Sequence, residues 1–482
     1  MGGVMWATWW RRGGAGGDNA AMTAPASAPA AHSSLADWLA YIERQHTKSI
    51  DMSLDRVREV AARMGLGRPA KRVIVVGGTN GKGSTVAFIE AIARAAGWRV
   101  GAYTSPHLLR YNERVRIDGA DVEDAALCAA FAEVETARGA AGAPVPLTYF
   151  EFGTLAALWL FEHVGQAPAR EGGAGQDGLD LAVLEVGLGG RLDAVNIVDP
   201  DVAVITTVDL DHQDWLGDSI EAIGAEKAGI ARAWKPLVLG DDDPPSSVLG
   251  RAYAIGASAL RIGCDFFFDP PGTSLDSDAE AGHTAQAPHW QWREIGCSLT
   301  LPLPALAAPV QLRNAAVAIA ALRALPDALP EAAFADGIAS ARLAGRLQRF
   351  VRDGVEVLVD VGHNPQAARA LAAALAASPG VGRVHAVYAA LADKDVAATV
   401  AVLADGVDVW HLAGLDAHGP RGLDVEAFAA RLAGTAAAGA QRHRDVPSAL
   451  AAALTAAQSG DRVLVFGSFH TAAAALAAFG QG

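Results

Sequence analysis

Apolar residues along this chain recur first at helical spacing and then in short unbroken runs, and the alternation of the two patterns predicts its architecture. Leu35, Trp38, Leu39 and Ile42 share one helical face, and Leu54, Val57, Val60 and Ala61 repeat that spacing. Beyond them the pattern predicts a strand over 73–76, a helix over 85–96 and a strand over 100–103. Helices over 124–137 and 152–163 follow, then strands over 181–185 and 202–206. Short apolar runs separated by helices read as buried parallel strands. After a helix over 314–325, the segment Gly345-Arg346-Leu347-Gln348 leads into a second series, with strands over 355–361, 384–388, 407–411 and 462–466 between Ala-rich helices. The chain is therefore read as α/β with two large domains, 35–345 and 353–482, joined by a linker over 346–352 that can act as a hinge. Gly-, Ala-, Gln- and Pro-rich stretches over 164–178 and 269–291 read as surface insertions. Ligands of open α/β sheets sit at the carboxyl ends of strands, so the site is expected in the cleft between the domains.

The first strand runs into VIVVGGTNGKGST, a glycine-rich turn followed by hydroxyl residues that open a helix. Gly77, Gly78, Gly81 and Gly83 let backbone N–H groups turn inward, Lys82 adds a point charge, and the helix offers its N-terminus to an anion. This is a phosphate cradle. It departs from the common P-loop in that Gly83 separates Lys82 from Ser84 and Thr85.

Other strand ends carry chemistry too. Glu185 closes a buried-looking strand, which makes it a candidate magnesium ligand or a loop-anchoring acid. Asp209-Leu210-Asp211-His212 closes the next strand, with His212 read equally as structural or as a metal or phosphate ligand. Lys227 ends a helix that starts near Ser219, where a lysine is ordinarily a partner of the helix dipole. Thr104-Ser105-Pro106-His107 reads as a turn. Asp360-Val361-Gly362-His363-Asn364 and Gly467-Ser468-Phe469-His470-Thr471 combine polar side chains with a helix start, suiting an anion or simple capping by Asn364 or Thr471.

Composition narrows the classes. A formal charge of −14 argues against a general nucleic-acid or anionic-membrane surface. The three cysteines, Cys128, Cys264 and Cys297, are too scattered for a disulfide framework or zinc site, which fits a reducing cytoplasm. Met1 to Ser34 lacks any sustained period and is expected to be disordered, and Met22 offers an alternative start. No stretch is long and apolar enough for a bilayer span. The residues by themselves indicate an ATP-dependent transfer enzyme.

Taken in order, ADWLAYIERQH, IDMSLDRV, GGTNGKGST, TSPHLLRYNERVRI, LTYFEFGTLAALWLF, LEVGLGGRLDAVNIV, DLDHQDWLG, EKAGI, RNAAVAIAAL, DVGHNPQAA and VFGSFHTAA resemble the bifunctional dihydrofolate synthase/folylpolyglutamate synthase family of the Mur ligase superfamily. The resemblance runs from Leu35 to the C-terminus and includes the Gly83 variant of the cradle. It implies a P-loop-type parallel-sheet ATPase domain that also binds the pterin substrate, followed by a smaller Rossmann-like domain that binds glutamate.

By that resemblance, Gly78, Thr79, Asn80, Gly81, Lys82, Gly83 and Ser84 hold ATP phosphates, with Asn314, Arg346 and Asp360 reaching the nucleotide. Ser105 and Glu185 hold one magnesium ion and His212 a second, beside a carbamylated Lys227. The pterin-bearing substrate meets Ser49, Ile50 and Asp51, the stretch Thr148, Tyr149, Phe150 and Glu151, and the turn Leu192, Asp193 and Ala194. Incoming L-glutamate lies near His363 and Ser468. Lys82, Lys227 and His212 are the expected catalytic residues. The implied substrates are ATP, L-glutamate, dihydropteroate and tetrahydrofolate, with room for a monovalent cation, and the protein is expected to be a cytoplasmic monomer. A peptidoglycan-type ligase is disfavoured because too little chain precedes the cradle for a UDP-sugar domain. A nucleotide switch and a monofunctional folylpolyglutamate synthase stay open as rivals.

Overall fold

The computed structural model describes residues 28–30, 32–48, 50–164, 178–272, 288–377 and 382–480. The expected pterin-site residue Ser49, most of the expected N-terminal extension and the middles of both expected insertions lie outside the described residues.

Two helices, α1 (Leu35–Ile42) and α2 (Asp55–Met64), precede the first sheet. Its strands are β1 (Arg72–Gly77), β2 (Val100–Tyr103), β3 (Val115–Ile117), β4 (Ala120–Asp121), β5 (Leu181–Glu185), β6 (Val202–Ile205), β7 (Pro236–Leu239) and β8 (Ser258–Arg261). They lie in the order β4-β3-β2-β5-β1-β6-β7-β8. β3 and β4 turn back antiparallel at one edge, and the other pairings are parallel. The central strands are the β-branched runs: Val73, Ile74, Val75 and Val76 are fully buried because helices cover both faces. The helix α3 (Lys82–Ala95) follows β1, α4 (Asp124–Arg138) follows β4, and α5 (Tyr149–His163) leads to β5. Register brings Gly77 level with Ile205 and Val76 level with Glu185, so the cradle, Glu185 and the chain after β6 emerge along one sheet edge.

A small antiparallel sheet of β9 (Phe266–Asp269), β10 (His289–Glu294) and β11 (Cys297–Pro302) packs beside it. The ends of the expected insertion over 269–291 are therefore sheet, because Trp290 and Trp292 alternate inward and are buried. The second large sheet holds β12 (Gln348–Arg352), β13 (Val355–Val359), β14 (Val384–Tyr388), β15 (Val409–Ala413), β16 (Gln441–His443) and β17 (Arg462–Phe466), in the order β12-β13-β17-β14-β15-β16. Most of the expected linker over 346–352 is thus an edge strand, hydrogen-bonded antiparallel to β13. Other boundaries move for local reasons. α5 begins a turn earlier than its apolar period suggests, because Thr148 and Glu151 form a reciprocal capping box. β15 starts two residues late because the Asp408 carboxylate accepts the Val384 N–H and caps the neighbouring strand.

A row of imidazoles crosses the second sheet. His385 Nδ1 lies 3.4 Å from His411 Nε2, and His411 Nδ1 lies 3.4 Å from His443 Nε2. Burial lowers the pKa of all three, that of His411 to about 4, where the imidazoles of His443 and His385 add to the effect. The unfolded chain binds protons on these groups first, so stability falls as pH drops from about 6.5 towards 4. For His411 the loss reaches up to about 3 kcal/mol. His411→Leu should flatten this pH dependence in thermal unfolding, and an unchanged profile would remove the row from the account.

Candidate active site

The loop from Gly78 to Gly81 is stitched to the chain after β6. The Thr79 N–H donates to Thr207 O at 2.7 Å, the Thr206 hydroxyl donates to Asn80 O at 2.6 Å, and the Asn80 N–H donates to Thr207 Oγ1 at 3.0 Å. Gly78 is required here: its φ is +144° and a Cβ would stand 1.9 Å from Thr206 Oγ1. At Gly81, with φ +84°, a Cβ would meet Asn314 Oδ1 at 2.6 Å, which is how Asn314 approaches the loop. α3 begins at Lys82, three residues before its apolar period, so its free N-terminal amides face the loop. Lys82 Nζ folds back onto Gly78 O at 3.0 Å and Thr79 O at 3.3 Å.

These groups open into a cavity of about 720 Å³ between the two large sheets. Sixteen expected site residues line it: Gly78 to Ser84, Ser105, Glu185, His212, Lys227, Asn314, Arg346, Asp360, His363 and Ser468. Glu185 is buried; its carboxylate accepts the Ser105 N–H at 3.2 Å, and burial raises its pKa against the pull of Lys82. A desolvated carboxylate beside a phosphate cradle is a natural cation ligand. His212 sits at φ +52° with its pKa lowered to about 4, mainly by burial, so its imidazole is neutral, the form that binds metals. Among the described residues no group of three or more His, Cys, Asp or Glu could hold a metal ion. Glu185 and Ser105 beside the cradle offer hard oxygen donors of the kind magnesium takes, one or two from protein and the rest from phosphates and water.

Lys227 departs from the expectation of a surface dipole partner. It is buried, and burial followed by the charge of Lys82 pushes its pKa down to about 7. Asp360 accepts the N–H groups of Leu347 at 2.8 Å and Gly362 at 2.7 Å, while the Arg346 guanidinium lies over the Phe469 ring. Asn364 caps its helix as foreseen, but the last strand's helix is capped by Ser468 and not Thr471: Ser468 Oγ accepts the Thr471 N–H at 3.0 Å.

The remaining expected residues do not line this cavity. Thr148 and Glu151 are engaged in their capping box, and Arg56 ties Glu151 at 3.0 Å to Asp51 at 3.1 Å, next to Ile50. Tyr149 packs edge-on to Tyr111, and the Phe150 ring lies against Gly187. Asp193, between Leu192 and Ala194, is buried with its pKa raised to about 7; it accepts the N–H groups of Leu188 and Val195 and so shapes the loop whose Leu188 does reach the cavity.

Sequence reasoning placed Asp211 at a strand end but missed Lys394, which pairs with it. Lys394 Nζ donates to Asp211 at 2.7 Å across the cleft, and Asn364 Nδ2 reaches the same carboxylate at 3.2 Å. His363 Nε2 lies 3.5 Å from it. Burial opposes ionisation of Asp211, but His363 and Lys394 hold its pKa well below the usual carboxylate range. Asn80 and Asn364 exchange amide hydrogen bonds at 3.1 and 3.2 Å, and Arg369 reaches Asp209 at 2.8 Å. Lys394 lies in the loop beyond β14 and not at its last residue, so the strand-end rule that found Glu185 does not reach it.

A lysine-bearing phosphate cradle, a buried carboxylate at the adjoining strand end and a second α/β unit closing on both define a Mur-type ligase. Residues 171–322 match the family described as Mur ligase middle domain and 345–469 that described as Mur ligase, glutamate ligase domain. The dihydrofolate synthase/folylpolyglutamate synthase of Escherichia coli (strain K12) is 46% identical over 446 residues, covering 92% of this chain and 95% of the relative. A solved structure described as E. coli FolC in complex with DHPP and ADP superposes with a TM-score of 0.82 at 44% identity, over 94% of this chain and 99% of that one. A bifunctional folylpolyglutamate synthase/dihydrofolate synthase with Mn, AMPPNP and L-glutamate bound gives a TM-score of 0.80 at 43% identity, over 94% of this chain and 100% of that one. The chain belongs to the dihydrofolate synthase/folylpolyglutamate synthase family.

Removing the charge at Asp211 should loosen the contact between the halves. Asp211→Asn is expected to cost about 3 kcal/mol or somewhat less, because it leaves the Lys394 ammonium with Asp393 alone, 3.6 Å away. Hydrogen exchange should then rise in residues 209–212 and 363–367 together, and unchanged protection would show that the carboxylate does not hold the cleft.

Proposed function

We propose that this chain is an ATP-dependent ligase that joins L-glutamate to dihydropteroate, forming dihydrofolate, and to tetrahydrofolate and its glutamylated forms, forming polyglutamates. The observation that carries this is the single cavity in which the cradle and Glu185 face His363, Ser468 and Lys394 of the second unit. In this reading residues 35–345 bind ATP and the pterin substrate, and residues 353–482 bind glutamate.

The physical problem is that a carboxylate is a poor acylating agent. Its oxygen attacks the γ-phosphorus of ATP, ADP leaves, and the acyl phosphate acquires a good leaving group. The glutamate amine then attacks the acyl carbon, and phosphate departs as the amide forms. Lys82, freed from its loop carbonyls, and the N-terminal amides of α3 stabilise the phosphoryl oxygens. Glu185 and Ser105 would hold one magnesium ion and His212 a second; when bound, magnesium neutralises charge on those oxygens. Asn314, Arg346 and Asp360 position the nucleotide. His363 and Ser468, near the Lys394 ammonium, orient the incoming amino acid. Burial of the cleft keeps water from the acyl phosphate.

Lys227 is proposed as a carbamate. Its neutral amine adds to carbon dioxide and releases a proton, and the pKa of about 7 makes that amine available. The resulting anion compensates the cations around it. A monovalent cation, a monomeric state and a cytoplasmic location complete the proposal; among the described residues no helix is long and apolar enough to cross a membrane.

Release of ADP with dihydropteroate, and separately with tetrahydrofolate, should require L-glutamate. ADP release independent of glutamate would point to a nucleotide switch, and activity with tetrahydrofolate alone would point to a monofunctional folylpolyglutamate synthase. Lys82→Ala should lower turnover by about 10²-fold or more while the thermal transition stays in place. Lys227→Ala should lose most activity and regain part of it with a small added carboxylic acid, whereas Lys227→Arg should not recover. Full activity in carbon dioxide-depleted buffer would refute the carbamate.

A further inference from the structure

A second cavity, of about 390 Å³, lies across the Gly187–Asp193 loop from the first. Leu188, Gly189 and Lys227 line the ligase cavity, whereas Arg191 and Gly229, their near neighbours in the chain, line this one. Its charged lining is Arg58, Arg191, Arg232 and Arg251 with one acid, Asp199. Arg232 is bound to Asp199 and to the Asn196 and Val198 carbonyls, and Arg191 is paired with Glu226 at 2.8 Å. Arg58 and Arg251 have no carboxylate partner among the described residues, although the chain carries a formal charge of −14. Guanidinium groups gathered around a concave surface repel one another unless an anion joins them, and their fork geometry suits carboxylates. Next to the lining residues Ala233 and Ile255, Trp234 is 85% exposed and its ring lies over Gly256.

The reaction proposed above, on which this inference rests, generates such an anion. Each turnover lengthens the substrate by one γ-linked glutamate, yet the reacting carboxylate must return to the same place beside the cradle. The body of the substrate is therefore displaced outward by one unit each time, and every unit carries an α-carboxylate. In the reading above, Lys82 and Arg346 of the ligase cavity serve the nucleotide, and Lys394 lies beside the incoming amino acid. We propose that the arginine-lined cavity binds the α-carboxylates of the growing γ-glutamyl tail and sets how long that tail becomes. Arg58 and Arg251 are the specificity-determining residues, because they are exposed and have no carboxylate partner among the described residues.

The test is steady-state kinetics of the full chain and its Arg58→Glu/Arg251→Glu double variant. The variant should raise the KM for tetrahydrofolate bearing several γ-linked glutamates by about tenfold or more, and should keep kcat and KM for tail-less dihydropteroate within about twofold. Its polyglutamate products should be shorter by mass spectrometry. A free oligo-γ-glutamate peptide should compete with the tailed substrate in the wild type and lose that competition in the variant, while inorganic phosphate affects both alike. An unchanged KM for the tailed substrate, or equal increases with and without the tail, overturns the assignment. Phosphate inhibition abolished by the variant with an unchanged tailed-substrate KM overturns it in favour of a phosphate site. Absence of glutamate-dependent ADP release in the wild type is a separate outcome that defeats the functional reading itself.

Discussion

The site depends on one half-buried carboxylate. Asp211 emerges from the end of a first-sheet strand and takes Lys394, Asn364 and His363 from the second unit. A charge withdrawn from water is tolerated only when donors surround it, and Lys394, Asn364 and His363 supply those donors to the ionised Asp211 in the closed cleft. The consequences spread outward. His363 is held at the cavity wall, Asn364 simultaneously caps its helix and pairs with Asn80 of the cradle loop, and His212, the residue after Asp211, is turned into the cavity at a positive φ. An enzyme that makes an acyl phosphate must assemble its parts away from water, and a bridge that forms only on assembly achieves this.

The same constraint governs the electrostatics. Lys82, Lys227, Arg346 and Lys394 crowd one cavity; burial lowers the pKa of Lys227 and Arg346, and the charge of Lys82 adds to the effect at Lys227. Glu185, Asp193 and Asp360 are raised by burial even though cations lie near. Such a site is poised for a polyanion with its counter-ions. The positive excess faces ATP, and the raised carboxylates gain when a cation arrives.

Much of this was legible in the text of the chain. Strands 181–185, 384–388 and 462–466 lie where their apolar runs end, because buried parallel strands are read by composition alone. The cradle was legible because glycine at Gly78 and Gly81 answers a steric demand that no other residue meets. Less legible was anything set by partners distant in sequence. The antiparallel edge strands β3, β4 and β12 are short and partly exposed, and β9 to β11 flank a low-complexity stretch that masks their alternation. The burial of Lys227 at a helix end, and the Lys394 to Asp211 bridge, depend on two sheets meeting across a cleft. No local pattern carries that information.

The central claim is that a carboxylate oxygen of the acceptor attacks ATP before the amide is made, and isotope transfer reads this directly. Dihydropteroate with its carboxylate labelled in heavy oxygen should pass one labelled atom into the released inorganic phosphate and keep the other in the amide. Phosphate without label, with ATP consumed and amide formed, would contradict the acyl phosphate and with it the roles assigned to the residues of the cavity.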